Sequence, residues 1–183
     1  AERQWSPSST AWAVVRPNQV AGKQKAERQW RQLASEAEPT EEEHLRAYRQ
    51  VIESCPNMPV VIRTLDLGAD KYTQARARFP ERNPMLGCRS IRFCLQNLDM
   101  FRRQIRAILR SAVGDARVSI LFPLISQMTE LRQAKAVVRD VVEDLEEEEV
   151  PHRADVPVGI MVETPSAALM CDLLAREVDF YSI

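Results

Sequence analysis

The stretch VSILFPLISQMTELRQAKAVVRDVVEDLEEEEV, residues 118–150, decides the fold. It opens on an apolar run, Val118 to Phe122, closed by Pro123, which reads as a buried strand. Leu131, Ala134, Val137, Val138, Val141 and Leu145 then recur at helical spacing and draw one apolar stripe along a helix. A buried strand followed by an amphipathic helix is the unit of parallel α/β folds, because a crossover must return the chain to the start of the next strand. The helix ends on the acidic run Glu146–Glu149, at the wrong pole of its dipole. The last turn is therefore expected to fray, with the run solvated and not holding metal.

The same unit recurs on both sides. Downstream, Val156 to Val162 reads as a strand, Thr164 caps a helix with Pro165 at its first position, and Val178 to Ile183 reads as another strand. Upstream, helical material runs from Cys88, with Leu98, Phe101, Ile105, Ile108, Leu109 and Ala112 as its stripe and Gly114 as its stop. Before it stands the short strand Val60-Val61-Ile62. Earlier still, Thr40 and Glu43 form a capping box for a helix that presents Leu45, Tyr48, Val51 and Ile52 on one face. A polar stretch from Asp66 to Gly87 is long enough to read as functional or disordered. The alternation predicts about four parallel strands with intervening helices and right-handed crossovers. That fits a doubly wound sheet or part of a β/α barrel. The G-x-G-x-x-G and P-loop fingerprints do not occur.

Composition narrows the function classes. Of 183 residues, 45% are hydrophobic and 28% charged, so a core can be buried, and the formal net charge of -1 argues against nucleic-acid binding. No apolar run approaches the roughly 20 residues of a membrane span, so no membrane insertion is expected and the location is read as cytoplasmic. Residues 1–37 differ from the rest. They hold all three tryptophans and six basic against three acidic residues, and Ala1-Glu2-Arg3-Gln4-Trp5 recurs as Ala26-Glu27-Arg28-Gln29-Trp30. They read as a poorly ordered leader ahead of a domain at 38–183. Cys55, Cys88, Cys94 and Cys171 form no C-x-x-C pair and read as reduced, mostly buried thiols. His44 is expected on a surface face of its helix and His152 in a charged connector, neither with a catalytic role.

In parallel α/β folds ligands bind at the carboxyl ends of the strands. Arg63 directly follows Val60-Val61-Ile62, and Glu163 directly follows Ile160-Met161-Val162. Arg89 stands at a helix start, where its fork of donors adds to exposed backbone N–H groups, a good arrangement for phosphate. A carboxylate at a strand end suits magnesium shared with substrate oxygens. Arg63 and Glu163 have a structural alternative, pairing with each other or with helix charges. Asp66 and Lys71 alone count as loop charges. The pattern by itself reaches only an anionic ligand, phosphorylated or not, at the carboxyl end of a parallel barrel.

Several segments carry a more specific resemblance. Val61-Ile62-Arg63-Thr64-Leu65-Asp66-Leu67-Gly68-Ala69-Asp70-Lys71, Asn83-Pro84-Met85-Leu86-Gly87-Cys88-Arg89-Ser90-Ile91-Arg92, Phe122-Pro123-Leu124-Ile125 and Gly159-Ile160-Met161-Val162-Glu163-Thr164-Pro165-Ser166-Ala167 occur in order. Together they resemble the phosphoenolpyruvate–protein phosphotransferases, enzyme I of the bacterial sugar phosphotransferase system. Pyruvate phosphate dikinase and phosphoenolpyruvate synthase share fewer of the motifs and stand as an alternative. The resemblance spans about Ser35 to Ile183. It implies a partial (β/α)8 TIM-type barrel that binds phosphoenolpyruvate and Mg2+. It implies that Arg63 and Arg89 bind phosphate, that Lys71 lies in the loop over the site, and that Glu163 is one of two metal carboxylates. The implied partners are a histidine-bearing amino-terminal domain, a small phosphocarrier protein and a second copy in a homodimer.

The family pattern also includes a Gly-Leu-Tyr-Arg-Thr-Glu strand ahead of Ser35, where this sequence reads Gln24-Lys25-Ala26-Glu27-Arg28-Gln29-Trp30-Arg31. A Gly-Thr-Asn-Asp segment with the second metal carboxylate, and a proton-donating cysteine, belong to stretches outside this sequence. No catalytic residue is assigned, and the chain alone is expected to be inactive. The competing expectation is a truncated or frame-shifted remnant acting at most as a non-catalytic oligomerising module.

Overall fold

Where β-branched and aliphatic residues run together the chain forms strands, and where they recur every three or four residues it forms helices. The computed structural model describes residues 39–66 and 87–183. The leader up to residue 37, Lys71 and most of the polar stretch after Asp66 lie outside the described residues. In order come α1 (Glu41–Ser54), β1 (Val60–Arg63), α2 (Ser90–Gln96), α3 (Leu98–Ser111), β2 (Val118–Phe122), α4 (Met128–Glu147), β3 (Val158–Met161), α5 (Pro165–Leu169), α6 (Cys171–Leu174) and β4 (Phe180–Ser182).

The four strands are all parallel and lie in the order β1-β2-β3-β4. This order separates the two architectures the alternation allowed. A doubly wound sheet reverses direction at a switch point, so its helices cover both faces. Consecutive strands that always step the same way, with right-handed crossovers, put every helix on one face. That is an arc of a TIM-type barrel.

Side-chain alternation agrees. Val60, Ile62, Val118, Ile120, Phe122, Val158 and Ile160 all belong to the core shared with the helices. Phe122 meets Phe101 of α3 edge to face, with centroids 6.1 Å apart. The residues between them point to the opposite, inner face. Register places Arg63, Leu121, Gly159 and Phe180 in one row there. Gly159 suits this place, because a Cβ would lie 2.5 Å from the Phe180 ring and the ring would have to shift.

Arginines fasten the helices and the amino ends of the strands. The acidic first turn of α1 receives Arg106 and Arg110 of α3, with Glu41 bridging both. Arg117 donates to the carbonyls of Cys55 and Met58, and Arg153 to those of Asp115 and Val118. In barrels this end serves stability and leaves the opposite end for chemistry.

Two expectations are corrected. The end of α4 does not fray. Glu149 adopts a left-handed conformation at φ 54, its N–H bonds Glu146 C=O at 3.1 Å, and the Val150 N–H bonds Leu145 C=O at 2.9 Å. This is a Schellman closure, with Val150 packed on the core beyond it. Glu148 is also neutralised by Arg106. His44 is not on a surface face but only 2% exposed, stacked on Tyr48 with ring centroids 5.6 Å apart. None of the four cysteines forms a disulfide, with Cys55 and Cys94 buried and Cys88 and Cys171 half-buried.

Candidate functional site

At the carboxyl end, the strand-end charges meet partners from the loops. Asp66 lies three residues beyond the end of β1. Its Oδ2 pairs with Arg63 Nη1 at 3.2 Å, and its Oδ1 with Arg89 Nη2 at 3.1 Å. The Ser90 hydroxyl also donates to Oδ1. Ser90 is left-handed at φ 51, a conformation uncommon outside glycine, and it begins α2 beside this carboxylate. Burial alone would raise the Asp66 pKa. The Ser90 hydrogen bond and the charges of Arg63 and Arg89 outweigh it and hold the carboxyl below its ordinary value. One carboxylate thus gathers two guanidinium groups that come from different parts of the chain.

Arg63 also reaches across the inner face, with Nη1 3.9 Å from Met161 Sδ on β3. Its side chain is 38% exposed, so it is open to a ligand. Glu163 is exposed, two residues beyond β3, and its Oε1 accepts the Leu124 N–H at 2.6 Å. The alternative pairings considered for Arg63 and Glu163 are not those observed. Arg63 pairs with its own loop, and Glu163 with a backbone amide of the loop after β2.

A second ion pair lies beneath these groups. Glu130 is 6% exposed, and its Oε2 accepts the Ser126 N–H, the Ser126 hydroxyl and the Gln127 N–H, at 2.7, 2.9 and 3.2 Å. Its Oε1 accepts Arg92 Nε at 3.1 Å. Arg92 also donates to the Ser126 hydroxyl at 3.0 Å and to the Gly87 carbonyl at 3.5 Å. The pair therefore joins the segment that carries Arg89 to the loop that carries Leu124.

The structure thus gathers Arg63, Arg89 and Glu163 at one end of the sheet, while Lys71 lies outside the described residues. Sequence reasoning passed over Asp66, Ser90, Arg92 and Glu130. The signal for Asp66 was its position three residues after a strand-end arginine. No group of three or more His, Cys, Asp or Glu side chains that could hold a metal occurs among the described residues. Glu163 is a single exposed carboxylate. It fits a hard cation that keeps water and substrate oxygens as its other ligands.

Parallel strands with helices on one face, and two arginines gathered on a carboxylate at their carboxyl ends, place the chain among β/α-barrel domains. Comparison with known proteins makes this specific. The family described as "PEP-utilising enzyme, PEP-binding domain" matches residues 20–183. The chain belongs to that family, PEP being phosphoenolpyruvate. The match begins inside the 1–37 segment.

Relatives named phosphoenolpyruvate-protein phosphotransferase include those of Priestia megaterium, 48% identical over 145 residues, Geobacillus stearothermophilus at 47% and Staphylococcus aureus (strain MSSA476) at 44%. Each alignment covers 79% of this chain and 25% of the relative, so the chain spans a quarter of the length of these proteins. No helix among the described residues is long and apolar enough to cross a membrane.

Proposed function

We propose that this chain supplies the phosphoenolpyruvate-binding part of a phosphotransferase, and that Arg63 and Arg89 bind the phosphate. The observation that carries the reading is the shared carboxylate of Asp66, which brings two guanidinium groups together at the carboxyl end of a barrel arc. A ligand phosphate offers more oxygens than a carboxylate and can accept from both forks at once. Lys71 is the third substrate contact in this reading, from the loop after Asp66.

Glu163 would hold Mg2+ together with a second carboxylate and substrate oxygens. When bound, such an ion neutralises charge on the transferring phosphoryl group. The chain's own part is positioning. The arginines orient the phosphate, Asp66 holds the arginines, and the Leu124 N–H fixes one oxygen of Glu163. In this reading the acceptor is a histidine on a separate amino-terminal domain, and the phosphoryl group then passes to a small phosphocarrier protein in the cytoplasm. The working unit is a homodimer. Residues 1–37 are a leader and 38–183 the domain proper.

Calorimetric titration of phosphoenolpyruvate into the chain, with and without Mg2+, tests the binding. Arg63→Ala and Arg89→Ala should each weaken it roughly tenfold or more, the loss expected for a charge-assisted hydrogen bond. Unchanged affinity in both variants would refute the assignment, and absence of binding by the unaltered chain would refute the reading.

A further inference from the structure

Where β1 leaves the sheet, its backbone must find new partners. The Thr64 N–H still reaches the Leu121 carbonyl at 3.0 Å. One residue later no strand remains, and side chains take over. Gln104 Oε1 accepts the Leu65 N–H at 3.0 Å, and the Cys94 thiol donates to the Leu65 carbonyl at 3.7 Å. Both peptide units of Leu65 are therefore pinned, and the next residue is Asp66.

Gln104 is an unusual occupant of its place. It is 2% exposed on the apolar face of α3, among Phe101, Ile105 and Ile108, where an aliphatic side chain would pack without hydrogen-bonding needs. Its polarity is used in one direction. A backbone N–H can only donate, so the amide oxygen faces Leu65 and the amide nitrogen faces the other way. That nitrogen donates to Tyr48 Oη at 2.9 Å. The Tyr48 hydroxyl in turn lies 3.2 Å from His44 Nδ1, within hydrogen-bond distance. Burial keeps the His44 ring neutral, and with its proton on Nε2 the ring accepts from that hydroxyl at Nδ1. From Leu65 through Gln104 to Tyr48 the hydrogen bonds have one polarity, and the Nε2–H tautomer of His44 continues it. This chain of bonds runs from α1 through α3 to the loop at the site.

We infer that Gln104 is a positioning residue for the anion site, holding the Leu65 backbone so that Asp66 presents Arg63 and Arg89 together, with Tyr48 and His44 fixing the direction of its amide. This rests on the reading of Arg63 and Arg89 as the phosphate-binding pair. A helix-packing role alone would need no contact with Leu65.

The test is titration of phosphoenolpyruvate into the unaltered chain, into Arg63→Ala and into four further variants, each shown to be folded at the titration temperature by circular dichroism. Gln104→Met keeps the shape and loses both hydrogen bonds, and affinity should fall roughly tenfold. Tyr48→Phe removes only the hydroxyl and should weaken binding roughly threefold; it carries the test if Gln104→Met does not fold. Gln104→Glu, protonated by burial, can accept from Leu65 and donate to Tyr48, and should bind within about threefold of the unaltered chain. Val141→Ala removes core volume on α4 outside this chain of bonds and should leave affinity within about twofold.

Equal affinity of Gln104→Met, or of Tyr48→Phe where Gln104→Met does not fold, alongside loss of binding in Arg63→Ala, overturns this inference and leaves the anion site standing. An equal loss in Val141→Ala assigns the effect to stability and overturns it too. No binding by the unaltered chain refutes the anion site, and this inference with it.

Discussion

Glu163 Oε1 accepts the Leu124 N–H at 2.6 Å and so ties the carboxyl end of β3 to the loop after β2. Leu124 stands at φ 56, where a residue with a Cβ is strained by about 1 kcal/mol or more. That conformation accompanies an amide aimed at the carboxylate. Glu163→Gln keeps an acceptor oxygen and discards the charge. Its urea midpoint should correspond to a stability change under about 0.5 kcal/mol, while any gain in phosphoenolpyruvate affinity from Mg2+ should vanish. A large drop in midpoint would show that the charge itself serves the fold.

The Phe180 ring leaves no room for a side chain at Gly159. Gly159→Ala should lower stability by about 1–3 kcal/mol through overpacking. Phe180→Leu in the same chain should recover part of that loss. Denaturant unfolding of the two single variants and the double variant gives the coupling, and strictly additive losses would argue against the contact.

His44 makes stability depend on mildly acidic pH. Burial, with a smaller contribution from the charge of Arg103, lowers its pKa from 6.5 to about 4. Between those values the unfolded chain binds a proton that the folded chain does not. The contribution is therefore complete above pH 6.5 and is lost as the pH falls towards 4. It amounts to roughly 3 kcal/mol at most. The depressed pKa of Asp66 acts in the same sense at lower pH, below the ordinary carboxylate value. Urea midpoints at pH 7.5 and 4.5 should differ clearly in the unaltered chain and less in His44→Asn. Identical differences in the two would remove His44 from the explanation.

Glu130 and Arg92 form an ion pair with one partner buried. Glu130→Ala takes from Arg92 its charge partner and from two backbone amides their acceptor, and should cost about 3 kcal/mol. Glu130→Gln, which keeps one acceptor oxygen, should cost less. Chemical denaturation separates the two, and equal losses would show that the pair's charge matters more than its hydrogen bonds.

The sequence made β1, β2 and β3 legible because each is a short apolar run ended by a proline or a charge. Val118–Phe122 coincides with the observed strand at both ends, and Arg63 and Glu163 sit at the strand ends where their positions put them. What stayed hidden depended on contacts between distant segments. Asp66 read as a loop charge because Arg89, 23 residues later, had no visible reason to meet it. The α4 terminus read as a dipole conflict because the neutralising Arg106 comes from another helix. His44 was a different case. It lies four residues before Tyr48, on the same helical face, so spacing alone placed it with the core. Its polar character pulled the reading towards solvent.

The unbroken order β1-β2-β3-β4 also bears on how the chain is made. Among the described strands β2, β3 and β4 each pair with the one synthesised just before, so each finds a partner already translated. A unit that emerges from the ribosome can dock on a finished edge, and that edge moves forward one strand at a time. Assembly can therefore keep pace with translation, and only the newest strand stands unpaired at any moment.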